Sequence, residues 1–240
     1  MCETCGCGAN SDHAGHHDHQ NTGRLREIKI NQDVMHKNNA YAEQNRKALS
    51  EKRGYAINMI SSPGSGKTSL LVETLIRLKG GRPLAVVEGD LQTDNDAKKI
   101  RRTGVPVYQI NTENACHLDA HMVGHAYEHL DLQDDSLVFV ENVGNLVCPA
   151  TYDLGENRTV VLLSVTEGDD KPAKYPVAFV NAQVLVITKM DLLPHVDFSV
   201  DECCKLAKAV NPGLEIFTLS SKTGDGMKEW CSWLRKLPEA

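Results

Sequence analysis

The chain has 240 residues, 41% of them apolar and 24% charged, a balance that suits one folded α/β domain with a tail and excludes a chain disordered throughout. A formal net charge of −6, with no Lys/Arg stripe, argues against nucleic acid as a partner. No apolar run nears the roughly 18 residues of a membrane span, and MCETCGCG lacks a basic-then-apolar signal pattern, so a cytoplasmic protein without membrane attachment is expected.

In that compartment the eight cysteines are reduced, and clustered ones become candidates for metal chemistry. Residues 1–23 are biased to Cys, Gly, His, Asp and Asn with no apolar periodicity, as expected of a flexible metal-binding tail. Cys2, Cys5 and Cys7 can gather three thiolates around one ion, a backbone or terminal nitrogen completing a planar site suited to Ni2+, with tetrahedral Zn2+ as the competitor. His13, His16, His17 and His19 form a weaker imidazole cluster, which can equally be a solvated polar tract. Residues 24–54 form a leading segment, in which the spacing of Val34, Met35, Ala40, Tyr41, Ala48 and Leu49 predicts an amphipathic helix from Asp33 to about Arg53.

The remainder, 55–240, reads as a P-loop domain. YAINMI predicts a buried strand, followed by SSPGSGKT and a helix from Lys67 to Leu78. LAVVEG, VPVYQI, SLVFVEN, TVVLLSV, AQVLVIT and EIFTLS predict further strands, rich in Val, Ile and Leu as doubly covered parallel strands are. Their alternation with helical stretches predicts a predominantly parallel sheet with helices on both faces and ligands at the strands' carboxyl ends.

Pro63, Gly64, Ser65, Gly66, Lys67, Thr68 and Ser69 are the candidate phosphate-binding residues, the glycines letting backbone N–H groups and a helix N-terminus surround the anion. Lys67 would reach the outer phosphates and Thr68 would ligate Mg2+. Ser61 replaces the usual first glycine. Asp90 of EGD and Glu141 of ENVG are the acidic strand ends chosen to face the magnesium, solvated acids being the bland alternative. TKMD selects guanine: Asp191 accepts from the base N1–H and exocyclic amine, while Lys189 lays its stem along the ring. Thr188 stands where Asn is commoner and is expected to forgo a loop-bracing hydrogen bond. Ser221 and Lys222 of SSK complete the base site. No catalytic arginine is evident in cis, so slow intrinsic GTP hydrolysis is expected.

Cys116, His117 and Cys148 are candidates to share an ion, with water or a second chain completing the shell; the alternative is buried inert thiols. His117, His121, His125 and His129 recur every fourth residue and would line one helix face, a stripe that solvation alone accounts for. Cys203, Cys204 and Cys231 have no ligand pattern and are assigned to core packing.

Through SSPGSGKT, EGD, NTENACHLDA, ENVGNLVCP, SVTEGDDKP and TKMDLLP, in that order, the sequence resembles the HypB family of hydrogenase nickel-incorporation GTPases. MCETCGCG resembles the N-terminal nickel motif of part of that family, and the histidine tract the storage tail of other members. The resemblance implies GTP hydrolysis coupled to nickel insertion into [NiFe] hydrogenase, a GTP-favoured homodimer, partnership with other maturation proteins and the hydrogenase large subunit, and a domain metal site at Cys116, His117 and Cys148 that Zn2+ can also occupy. A urease-type nickel GTPase and a nickel store with a GTP switch are the alternatives; CxxCGC and ENVGNLVCP favour the hydrogenase reading.

Overall fold

The computed structural model describes residues 18–90, 95–112 and 115–238, with side chains from residue 32 onward except that of Asp90. In chain order the elements are helix α1 (Asp18–Glu51), strand β1 (Tyr55–Ser61), α2 (Lys67–Leu78), β2 (Leu84–Asp90), α3 (Asn95–Arg101), β3 (Val107–Asn111), α4 (Ala120–His129) and β4 (Leu137–Gly144). A short 3-10 turn (Cys148–Ala150), β5 (Arg158–Ser164), α5 (Lys171–Lys174), α6 (Pro176–Val180), β6 (Val184–Thr188), a second 3-10 turn (Met190–His195), α7 (Val200–Val210), β7 (Glu215–Thr218) and α8 (Met227–Arg235) follow.

The seven strands form one parallel sheet in the order β3-β2-β4-β1-β5-β6-β7, as the run of apolar segments predicts. Every residue of β1 is buried, because the strand lies between β4 and β5 and both its faces are covered. Successive side chains point to opposite faces: Ile57 and Met59 join α2 and α8 through Leu70, Leu71, Leu75 and Trp230, Ala56 packs with Leu49 and Val123, and Ile60 with Phe179 and Cys203. Each large buried aliphatic side chain contributes about 1.5–3 kcal/mol. Trp230 is fully buried, and its indole Nε1–H donates to Thr74 Oγ1 at 2.9 Å. Cys203 and Cys231 are buried in these clusters; burial pushes the Cys203 thiol up to about 12, as suits an inert packing residue.

α1 begins at Asp18, earlier than the apolar spacing from Asp33 indicates. Its sequence is polar nearly throughout, so hydrophobic periodicity carries no start signal there. From Lys37 on, the helix is anchored by buried amides. Asn45 Nδ2–H donates to the carbonyls of Ala120 (2.7 Å) and Leu154 (2.8 Å). Asn38 accepts from Ala120 N–H at 2.9 Å and donates to the Asp153 carbonyl at 2.8 Å. Among the described residues, no helix is long and apolar enough to cross a membrane.

Candidate functional site

The loop from Ser61 to Gly66 leaves β1 at its carboxyl end and enters α2. Gly64 and Gly66 have φ of +76° and +92°, a left-handed backbone that L side chains resist and that lets the loop curl over the α2 N-terminus, where an anion can be held. A Cβ at Gly144 would lie 3.1 Å from Pro63 Cα, so the end of β4 presses against the loop. Ser61 also pairs through its backbone with Gly144 and Asn145.

Ser61, the departure from the usual glycine, has a use: its hydroxyl accepts from Lys67 Nζ at 2.9 Å, parking the ammonium in a buried position. Thr68 Oγ1 lies 2.6 Å from Glu141 Oε1 and 2.9 Å from Asp96 Oδ2. Burial pushes the Glu141 carboxyl up to about 7, against the opposing pull of Lys67 and Thr68. Thr68 Oγ1–H is thus poised to donate to either carboxylate. Burial also raises Asp96, but hydrogen bonds from Lys99 (2.6 Å) and Thr68 outweigh it and hold that carboxyl low. Glu141 Oε2 is buried with no hydrogen-bond partner among the described residues. An orphaned carboxylate oxygen, a second carboxylate and a hydroxyl make a hard-oxygen donor set that fits Mg2+.

Asp90 ends β2 opposite Asn111, and its side chain lies outside the described residues; Asp96 is the carboxylate seen on Thr68. Asp96 went unselected in the sequence although the run QTDND offers it, six positions after Asp90.

At the other end of the pocket Thr188 Oγ1–H donates to the Ser65 carbonyl at 2.6 Å. The expectation of a lost brace is thus corrected: the hydroxyl at the end of β6 is short enough to sit against the P-loop and hold it directly. Lys189, with φ of +59°, donates from Nζ to the Gly64 carbonyl at 2.6 Å. Asp191 accepts from Ser220 Oγ–H at 2.6 Å, and Ser220 Oγ in turn accepts from the N–H groups of Lys222 and Thr223. Ser220, buried and overlooked in favour of its neighbours Ser221 and Lys222, ties the two base-side loops together. Ser69, Ser221 and Lys222 line one cleft of about 640 Å³.

Cys116, His117 and Cys148 converge, their donor atoms all within 4.8 Å of one another. Cys116 Sγ is 3.7 Å from His117 Nδ1, close to the roughly 3.5 Å between donors of a tetrahedral ion with bonds of about 2.0–2.3 Å. His117 stacks on Tyr152 at 3.9 Å; burial pushes its imidazolium down, opposed by the Asp119 charge, which favours the neutral ligand form. The hydrogen bond with Cys116 is the main cause that raises the Cys148 thiol, followed by burial. Both arms of the triad are tied to the segment after Glu141: Asn142 Oδ1 accepts from Leu118 N–H at 3.1 Å, and the Asn145 side chain hydrogen-bonds Cys148. Cys2, Cys5, Cys7, His13, His16 and His17 lie outside the described residues, as does the side chain of His19.

The model of the CobW/HypB/UreG nucleotide-binding domain matches residues 56–218. The chain is 54% identical to the hydrogenase maturation factor HypB of Azotobacter vinelandii over 88% of this chain and 70% of that one. It is similar to the crystal structure of HypB from Archaeoglobus fulgidus, with TM-score 0.79, 40% identity and 84% and 98% of the two chains covered. It is also similar to that of Helicobacter pylori HypB in complex with nickel, with TM-score 0.78, 40% identity and 82% and 93% covered. A P-loop beside a buried carboxylate, a base-side loop pair and a thiolate–imidazole triad are thus borne on a chain that belongs to the CobW/HypB/UreG family and, within it, to the HypB hydrogenase maturation factors.

Proposed function

We propose that the chain is a Mg2+-dependent GTPase that couples hydrolysis of GTP to the handling of Ni2+, its cargo, for insertion into the large subunit of a [NiFe] hydrogenase. Lys67 leaves Ser61 to contact the outer phosphates, and the N–H groups around Gly64 to Ser69 cradle them. Thr68, Glu141 and Asp96, with Asp90 at the end of β2, would hold Mg2+, which would supply positive charge to offset the charge developing on the phosphates. Asp191, oriented by Ser220, accepts from the guanine; Lys189, Ser221 and Lys222 flank the base. Cys116, His117 and Cys148 hold Ni2+, with Zn2+ as a competitor, and Cys2, Cys5 and Cys7 form a separate thiolate site. A GTP-favoured homodimer would supply ligands that a three-donor site lacks.

The observation that carries this reading is the backbone pairing of Ser61 with Gly144 and Asn145, midway between Glu141 and Cys148. A change at the γ-phosphate felt by Glu141 shifts the segment that bears Cys148, so nucleotide state and ion affinity are linked. Coupling of this kind is typically about 5- to 150-fold and is reciprocal. The test titrates Ni2+ into full chain carrying Cys2→Ser, Cys5→Ser and Cys7→Ser, loaded with GDP or with a non-hydrolysable GTP analogue. Different affinities in the two states are expected; equal affinities reject the linkage. GTP turnover by the same variant separates this reading from a nickel store, whose role resides in the tail.

A further inference from the structure

We propose that His125, Glu128 and His129 on α4 form a second metal site of the domain, one that takes a divalent transition ion such as Ni2+ or Zn2+ through imidazole and carboxylate donors alone. The donor atoms of the three side chains lie within 4.8 Å of one another, and all three are exposed. Positions i, i+3 and i+4 bring them together on adjacent turns, and the two imidazole rings are 4.4 Å apart.

Both imidazoles are already oriented by their neighbours. His129 Nδ1 is 2.8 Å from the His125 carbonyl; a carbonyl can only accept, so Nδ1 carries the proton and Nε2 keeps its lone pair for an ion. This is the backbone contact that orients metal-bound histidines. His125 Nδ1 is engaged by the Tyr108 hydroxyl at 3.4 Å, which points to Nε2 as its ligand atom too. The Tyr108 ring also lies 5.2 Å from that of His129, so β3 buttresses both imidazoles.

The helix that carries them is held at its N-terminus and along its inner side. Asp119 caps its N-terminus by accepting from Met122 N–H at 2.8 Å, and Val123, Ala126 and Tyr127 bury its other side. His125 and Glu128 also line a cleft of about 520 Å³ beside Tyr41 and His121, which leaves room for water to complete the coordination shell. Nitrogen and oxygen donors suit Ni2+, Zn2+ and Cu2+, and without thiolate the site is weaker than the cysteine-bearing triad and exchanges its ion more readily. It needs neither cysteine nor nucleotide, and so goes beyond the nucleotide-coupled reading above.

A bulk titration does not assign an ion to individual histidines, so the test is local: modification of histidines by diethyl pyrocarbonate with and without NiCl2, mapped by peptide mass spectrometry. With free Ni2+ at about ten times the dissociation constant, modification of His125 and His129 is expected to slow about tenfold, while exposed His195 reacts at its original rate. The protection should persist in Cys116→Ser/Cys148→Ser. In Glu128→Gln it should need several-fold more Ni2+, with the metal-free rates unchanged as proof that the helix is intact. Equal rates at His125 and His129 with and without Ni2+ would overturn the proposal, as would protection that vanishes with the two cysteines.

Discussion

At the phosphate end Ser61, Lys67, Thr68 and Glu141 are all buried, and hydrogen bonds of 2.6 to 2.9 Å interlock them with Asp96. At the triad Cys116, His117 and Cys148 are half-buried, and the ring stack on Tyr152 and a 3.7 Å sulfur–nitrogen contact hold His117. Both regions draw on the end of β4, yet one is over-determined and the other loosely held. A pocket that meets the same phosphates every cycle gains from preorganisation. A site that must surrender its ion gains from ligands that can part, since elements that move come from the less stable parts of a fold.

Removing the buried cation at the phosphate end should have the largest effect. Lys67→Ala is expected to lower GTP turnover by at least about 10²-fold while leaving Ni2+ binding by Cys2, Cys5 and Cys7 intact; phosphate release and equilibrium dialysis on the same variant check both halves. Next comes the base side, where Asp191→Asn should weaken GTP by about 10- to 150-fold and improve xanthosine triphosphate, whose extra carbonyl meets the new amide donor. Competition between the two nucleotides measures it, and an unchanged preference would remove Asp191 from the base site.

A smaller change is expected at the triad itself. In Cys148→Ala the ratio of Ni2+ affinities between GDP and analogue states should fall toward one, because the ligand on the moving segment is gone. A ratio that stays at the parent value would assign the linkage elsewhere. The smallest effect is that of Thr188→Val, which deletes the hydroxyl bracing Ser65 and should cost about 1 kcal/mol of unfolding free energy, read from denaturant titration of the nucleotide-free chain.

The sheet was legible because each strand is a short Val/Ile/Leu run and the P-loop falls between a strand and a helix, where its glycines have only one sensible use. TKMD and SSK also each follow a strand, and the structure brings the two loops together through Asp191 and Ser220. What escaped depends on side chains meeting across the fold. Asp96 reaches Thr68 from α3, Ser220 reaches Asp191 from beyond β7, and Thr188 reaches Ser65 from β6; no spacing in the sequence encodes those distances. Ser61 looked like a weakened motif and serves as the resting partner of Lys67. The start of α1 was missed since a polar helix has no apolar stripe to announce it, and nothing in the sequence pattern marks the buried Asn38 and Asn45 that anchor its later turns.

The position of β4 also sets an order in time. It lies between β2 and β1, so it must slot between two strands synthesised before it, and parallel pairings between distant segments form slowly. Cys116 and His117 precede α4, and Cys148 follows β4; the three donors meet only once that insertion is complete. Cys2, Cys5 and Cys7, by contrast, are neighbours along the chain and leave the ribosome together. The thiolate site proposed at those cysteines would therefore be available to an ion long before the domain triad exists, and the finished triad is itself a report that β4 has been correctly threaded between its neighbours.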